Sequence, residues 1–217
     1  RQSDMMLEAT ACKLFCSEGL GRIADDTLQI WGGEGYMRDQ GIERIFRDAR
    51  FCRLAEGASE VLTAFIALVG MRGVGEELRS VAQAARHPLE QFGRLKDYAR
   101  HEWSDIVLGH DFQGLHPHVI LAGQRLAGLA RRLARETERV CRTYREDLHE
   151  MQLVQQRFAL AAGERYAMAA VVSRRQAMLS RSDSLRYADK LDLAIGRAFC
   201  HRGADRVEGR LAQLLSP

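Results

Sequence analysis

Residues 119–140 read Val119-Ile120-Leu121-Ala122-Gly123-Gln124-Arg125-Leu126-Ala127-Gly128-Leu129-Ala130-Arg131-Arg132-Leu133-Ala134-Arg135-Glu136-Thr137-Glu138-Arg139-Val140, and they decide the fold class. Val119, Leu126, Leu133 and Val140 recur every seven residues, with Ala122 and Leu129 between them. That spacing draws one apolar seam along a helix and calls for partner helices. Two further stripes follow. Met151, Val154, Phe158, Ala162, Ala169 and Val172 form one; Leu191, Ile195, Phe199 and Leu211 form the other, with Ser182 or Asp183 as a cap before it. Antiparallel elements of this kind make a small helical bundle.

Towards the N-terminus, a helix is expected over residues 3–31, broken near Gly19 and Gly21. It carries Leu7, Ala11, Leu14 and Phe15, then Ile23, Thr27 and Ile30. It should stop at Gly32-Gly33, where glycine takes the left-handed conformation that ends helices. A short helix over 42–53 puts Ile42, Ile45, Phe46 and Ala49 on one face. Glu56-Gly57-Ala58-Ser59 reads as a tight connection. Ser59 is the expected N-cap of an apolar helix through Val61, Leu62, Phe65, Ile66, Leu68 and Val69. Residues 82–117 hold His87-Pro88, Gly93, Gly109, Gly114 and His116-Pro117 around an expected helix over 89–107, and form the best linker. The expectation is an all-α chain: a first helical unit over 1–81, a linker over 82–117 and a C-terminal bundle over 118–217.

Composition agrees. The chain has 217 residues, 46% hydrophobic and 28% charged, with 3 prolines, and no long apolar alternation. This excludes a β-sandwich or barrel. The apolar runs fall short of the roughly 18 residues of a membrane span, so the chain reads as soluble. The formal charge is +3, and its distribution is uneven: −3 over residues 1–81 and +6 over 82–217. Lys13, Lys96 and Lys190 are the only lysines; an arginine excess of this kind is a compositional habit before it is a phosphate-binding device. No nucleic-acid module is expected, because neither a fold signature nor clustered basic-aromatic motifs accompany the charge. Cys12, Cys16, Cys52, Cys141 and Cys200 include no CxxC and fit no zinc spacing. They read as free thiols in a reducing compartment, with Cys52 a small buried one. His116 and His118 flank a proline and the other histidines are scattered, so no metal site or Ser-His-Asp constellation is expected. The chain begins at Arg1 without an initiator Met, a signal peptide or a transit-like segment, and reads as a piece of something longer.

Two places carry chemical interest. In Gln29-Ile30-Trp31-Gly32-Gly33-Glu34-Gly35-Tyr36, three glycines at a helix end expose backbone amides that a cofactor phosphate can approach. On spacing alone, a glycine C-cap and turn is the better account. In Glu56-Gly57, a carboxylate stands beside a glycine before an apolar helix. Its neighbours Leu54, Ala55 and Val61 could strip water from it and strengthen it as a general base. The residues alone favour an exposed loop glutamate near a helix N-terminus.

A resemblance changes that balance. Ala11-Cys12-Lys13-Leu14-Phe15, then Gln29 to Tyr36, then Ile42-Glu43-Arg44-Ile45-Phe46-Arg47-Asp48-Ala49-Arg50, then Glu56-Gly57-Ala58-Ser59-Glu60-Val61 together resemble the C-terminal helical domain of acyl-CoA dehydrogenases. Phe65-Ile66-Ala67-Leu68-Val69-Gly70 and the long helical continuation resemble the very-long-chain branch. Leu115-His116-Pro117 and the stretch from Tyr166 to Arg174 fit its extra C-terminal domain. That branch includes a mitochondrial relative acting in respiratory complex I assembly.

The resemblance implies oxidation of an acyl-CoA to the trans-2-enoyl-CoA with FAD. Glu56 matches the base and Gly57 the residue lining the substrate site. Gln29, Ile30, Trp31, Gly32 and Gly33 match the stretch that touches the FAD of the neighbouring subunit, while Ser59 and Glu60 match contacts to the subunit's own flavin. Ala58 stands where threonine is usual and Ala55 where an aromatic is usual, so either a looser flavin site or a scaffold role in protein assembly follows. Electron-transfer flavoprotein, a homodimer and a peripheral membrane contact through 82–117 are the implied partners. The implied location is the cytoplasm if bacterial and the mitochondrial matrix or inner membrane if eukaryotic. Without the N-terminal helical and β domains of the family, residues 1–217 alone are expected neither to hold FAD nor to turn over.

Overall fold

A computed structural model describes residues 5–84, 114–181 and 187–215. Among the described residues six α-helices follow in order: α1 Met6–Tyr36, α2 Ile42–Cys52, α3 Ser59–Ala84, α4 Ile120–Tyr144, α5 Gln152–Leu179 and α6 Tyr187–Ala212. Single 3₁₀ turns at Arg38–Gln40 and Arg145–His149 join α1 to α2 and α4 to α5. No strand occurs among the described residues. The chain is all-α, as its periodicity requires. The expected helix over 89–107, residues 85–113 of the expected linker and the cap at Ser182 or Asp183 lie outside the described residues, while residues 82–84 continue α3 instead of opening a linker.

The seven-residue seam forms the core it promises. Val119, the N-cap of α4, is buried beside Leu179 and Leu193, and Leu126, Leu129, Leu133 and Val140 are buried along the helix itself. Val154, Phe158 and Val172 meet them from α5, and Cys200, Ala204, Val207 and Leu211 from α6. Helix α3 joins the same core through Ala67 and Met71 and supplies the fourth wall of the bundle. At the α4–α5 corner, Arg145 takes a positive φ of 48°. The buried Gln155 amide donates to the Leu148 and His149 carbonyls at 2.8 and 2.9 Å, satisfying the turn.

The α6 stripe is shifted from the sequence expectation. Leu211 is buried and Phe199 packs against the core as expected, but Leu191 and Ile195 are exposed, and the buried register is Leu193, Cys200, Ala204, Val207, Leu211 and Leu214. Gly196 explains the choice. A Cβ there would lie 2.1 Å from Arg175 Cζ, so the bare backbone admits a guanidinium instead of an apolar neighbour. Arg175 is itself buried, and it donates to the Asp192 carbonyl and pairs with the Asp192 carboxylate at 3.2 Å. An apolar pattern cannot reveal a buried arginine laid over a glycine.

Helix α1 runs unbroken through Gly19 and Gly21, contrary to expectation. Gly21 is not a break; a Cβ there would come within 3.2 Å of Arg53 Cδ, so the glycine clears a path for that side chain. Gly32 does take the left-handed φ, at 59°, but the helix kinks there and continues one turn to Tyr36 rather than ending. The inner face of α1, Ala11 and Leu14, packs on Ile66 of α3 and Ala159 of α5. Phe15 meets Phe199 of α6 edge-to-face at 6.2 Å. Helix α2 buries only Ala49, leaving Ile45 exposed.

Phe158 is 5% exposed and lies against the bare backbone of Gly70, where a Cβ would be 3.2 Å from its ring. Phe158→Ala should cost about 3–5 kcal/mol of unfolding free energy by urea titration. Leu121→Ala, at a side chain 78% exposed, should stay within about 0.5 kcal/mol. Equal effects at the two sites would contradict this core.

Candidate active site

The loop between α2 and α3 carries the unusual backbone. Glu56 has φ 57° and Gly57 has φ 97°. A left-handed conformation costs a non-glycine residue about 1–2 kcal/mol and persists only where surrounding contacts enforce it. Gly57 has a second reason to lack a side chain, because a Cβ would lie 2.8 Å from Leu62 Cδ2. The loop opens with Leu54 and Ala55 N–H groups donating to the Phe51 carbonyl, both at 2.9 Å. It closes with the Ser59 N–H donating to the Arg53 carbonyl at 3.1 Å.

Helix α1 holds this loop at two points. Lys13 Nζ donates to the Gly57 carbonyl at 2.6 Å. Five residues on, Glu18 Oε1 accepts from Arg53 Nε at 2.8 Å and from Ser59 Oγ at 2.7 Å. The bonds grip both ends of the turn and leave its tip, Glu56, exposed. Burial works against the Glu18 charge, but the hydrogen bonds from Ser59 and Arg53 and the charges of Arg53 and Arg22 outweigh it, so its carboxyl is held below the ordinary value.

Ser59 is therefore not the cap of α3. Its hydroxyl is turned to Glu18, and the first helical bond of α3 runs from the Leu62 N–H to the Ala58 carbonyl at 3.0 Å. Ser59 is buried, whereas Glu60 is exposed. Nor do the neighbours of Glu56 shield it within this chain: Leu54 and Val61 are exposed themselves, as is Phe51. Cys52 is exposed too, against expectation, and Cys141 and Cys200 are the buried thiols; burial raises both above the ordinary thiol value. All five thiols are free.

The second patch stands apart. Residues 29–34 are exposed, with Ile30 at 84%, and neither Gly32 nor Gly33 has an atom within 4 Å of where a Cβ would sit. Gln29 lies eleven residues beyond Glu18, about 16 Å along α1. Among the described residues no group of His, Cys, Asp and Glu could hold a metal ion, and no helix is long and apolar enough to cross a membrane. Sequence reading did not find Glu18 or Arg53, and assigned Lys13 no role. Their partners lie 35 to 44 residues away, and no local spacing records such pairs.

Residues 1–71 match the family model for the acyl-CoA dehydrogenase C-terminal domain, and residues 120–217 match that for the ACAD9/ACADV C-terminal domain. A crystal structure of an acyl-CoA dehydrogenase complexed with FAD from Bacillus anthracis superposes with a TM-score of 0.70 at 20% identity, over 96% of this chain and 32% of that one. This chain belongs to the acyl-CoA dehydrogenase family, and its full-length likeness is to the very-long-chain branch. The mitochondrial very long-chain specific acyl-CoA dehydrogenase of Mus musculus is 31% identical over 217 residues, and that of Homo sapiens 29% over 218. These alignments take in 98% and 99% of this chain; it spans about a third of the length of either relative.

The lowered Glu18 carboxyl ties stability to pH. A group held below its ordinary value of 4.5 contributes fully above that value, and the contribution is lost as pH falls through the folded-state value. Glu18→Gln should cost about 1 kcal/mol at pH 7. In urea unfolding, the gap to wild type should narrow steadily below about pH 4.5. A gap that stays constant down to pH 3 would show that the Glu18 charge does not hold the loop.

Proposed function

We propose that this chain works as the C-terminal part of an FAD-dependent long- or very-long-chain acyl-CoA dehydrogenase, with Glu56 as the base that takes the α-proton. The observation that carries the reading is the conformation of the Glu56-Gly57 turn. Its carboxylate is the free tip of a loop whose two ends are fastened to α1, so the base is presented outward in one orientation. General-base catalysis needs the carboxylate oxygen within about 2.6–3.2 Å of the proton it takes, and a fastened loop limits how far that distance can drift.

The residues present fit a flavin. Gly32 and Gly33 leave open backbone over an exposed turn, as a flat or phosphate-bearing group requires. Gln29, Ile30, Trp31, Gly32 and Gly33 would hold the flavin of a neighbouring subunit, and the loop at Ser59 and Glu60 would face the subunit's own. Their separation along α1 suits two different flavins. Bound flavin supplies the acceptor for the β-hydrogen, which leaves with its electron pair. Glu56 takes the α-proton on a carboxylate oxygen, and the electrons of the broken α-C–H bond become the new Cα=Cβ bond. Gly57, without a side chain, leaves room for the thioester beside the base. Phe51, Leu54 and Val61 form an apolar rim. Covering that rim with acyl chain and the rest of the protein excludes water from the base. Alone, the chain presents this rim to solvent and retains no flavin.

The unit boundaries at 81 and 117, the homodimer, the electron-transfer flavoprotein partner and the membrane contact through 82–117 belong to the same proposal.

The test is anaerobic titration of the longer, flavin-loaded parent protein that carries this chain as its C-terminal part, with acyl-CoAs of graded chain length. Flavin absorbance should bleach with long-chain acyl-CoA, and Glu56→Gln should slow bleaching by at least about 100-fold, the upper part of what a positioned base contributes. Bound flavin that never bleaches would favour the scaffold reading.

A further inference from the structure

We infer that Lys13 is a positioning residue: its ammonium, bonded to the Gly57 carbonyl, sets the left-handed turn in which Glu56 meets the α-proton, with Glu18 as the second fastening of the same loop. The inference rests on the reading of Glu56 as the base.

The turn needs a cause. Glu56 has a Cβ, and at φ 57° nothing in its own chemistry favours that backbone. Gly57 follows at φ 97°, and the peptide joining Gly57 to Ala58 is thereby rotated so that its carbonyl faces α1. Lys13 Nζ meets that oxygen at 2.6 Å, giving a charge-assisted bond to a neutral acceptor, which is stronger than a neutral pair. Lys13 is half-buried on a helix whose adjacent residue, Leu14, is fixed in the core at 3% exposure. The lysine stem therefore starts from a backbone that the core holds in place. Removing the ammonium frees the Gly57–Ala58 peptide, one residue beyond Glu56, to flip, while the Glu18 bonds to Arg53 and Ser59 keep the loop's ends in place. The expected defect is local: the base is misaimed, and the fold is kept. A misplacement of about 1 Å at a reacting group can cost about 100-fold.

The experiment isolates proton abstraction. A 3-thiaacyl-CoA has sulfur at the β-position, so it can lose its α-proton but no β-hydride. Exchange of that proton for deuterium on the flavin-loaded protein in heavy water is read by mass spectrometry. Lys13→Met should slow exchange about 10–100-fold, with the analogue's dissociation constant and the flavin content changed less than about twofold. Lys13→Arg, which keeps a charged donor, should restore exchange to within about threefold of wild type. If Lys13→Met does not fold, Glu18→Gln is read in the same way and should slow exchange at least about threefold, since it loosens the other end of the loop. Exchange at the wild-type rate in the folded variant overturns the positioning role. A loss that merely tracks lost flavin or analogue binding overturns it as well. Glu56→Gln is the control: if it exchanges as fast as wild type, the base assignment itself fails, and the positioning role with it.

Discussion

The Glu18 carboxylate is the fastening on which the candidate site depends. One oxygen accepts from Arg53, at the end of α2, and from Ser59, at the start of α3. Two helices that would otherwise be joined by a slack turn are thus drawn to a third. A partly buried charge is costly unless it is paired and hydrogen-bonded, and here both conditions are met by residues the loop must bring together. The loop's geometry and the satisfaction of Glu18 are one event. Gly21 completes the arrangement by leaving the path that Arg53 crosses.

The fastening is only as rigid as α1, and α1 draws its rigidity from the bundle. Ala11 and Leu14 pack on α3 and α5, and Phe15 touches Phe199 of α6. Helix α3 then carries the same support back, since its first turn begins at the loop while Ala67 and Met71 lie in the bundle core. The C-terminal helices are therefore more than an appendage. They form the ground against which the helix holding the Glu56 loop is set.

The sequence spoke clearly where a repeating pattern meets a repeating structure. The seam of Val119, Leu126, Leu133 and Val140 named its own buried face because each position repeats the same environment. Gly32 announced a left-handed residue because few others adopt one. The misreadings have a common cause. Leu191 and Ile195 looked like core, but Arg175 over Gly196 displaced the stripe; Gly21 looked like a break because Arg53 is 32 residues away; Ser59 looked like a cap because Glu18 is 41 residues away. Each depends on one long-range polar contact, and local spacing carries no trace of such contacts. Glu56 stands out in the sequence only by its place before a glycine and by resemblance, while the bonds that fasten its loop show only where α1 lies beside it.

The most direct measurement is a crystal structure of the flavin-loaded protein with a non-reactive acyl-CoA analogue. The Glu56 carboxylate should lie within about 3.5 Å of the acyl α-carbon, near-attack distance, with Lys13 still on the Gly57 carbonyl and Glu18 still joined to Arg53 and Ser59. A different carboxylate at the α-carbon, or a loop released from α1 when the analogue binds, would contradict this arrangement.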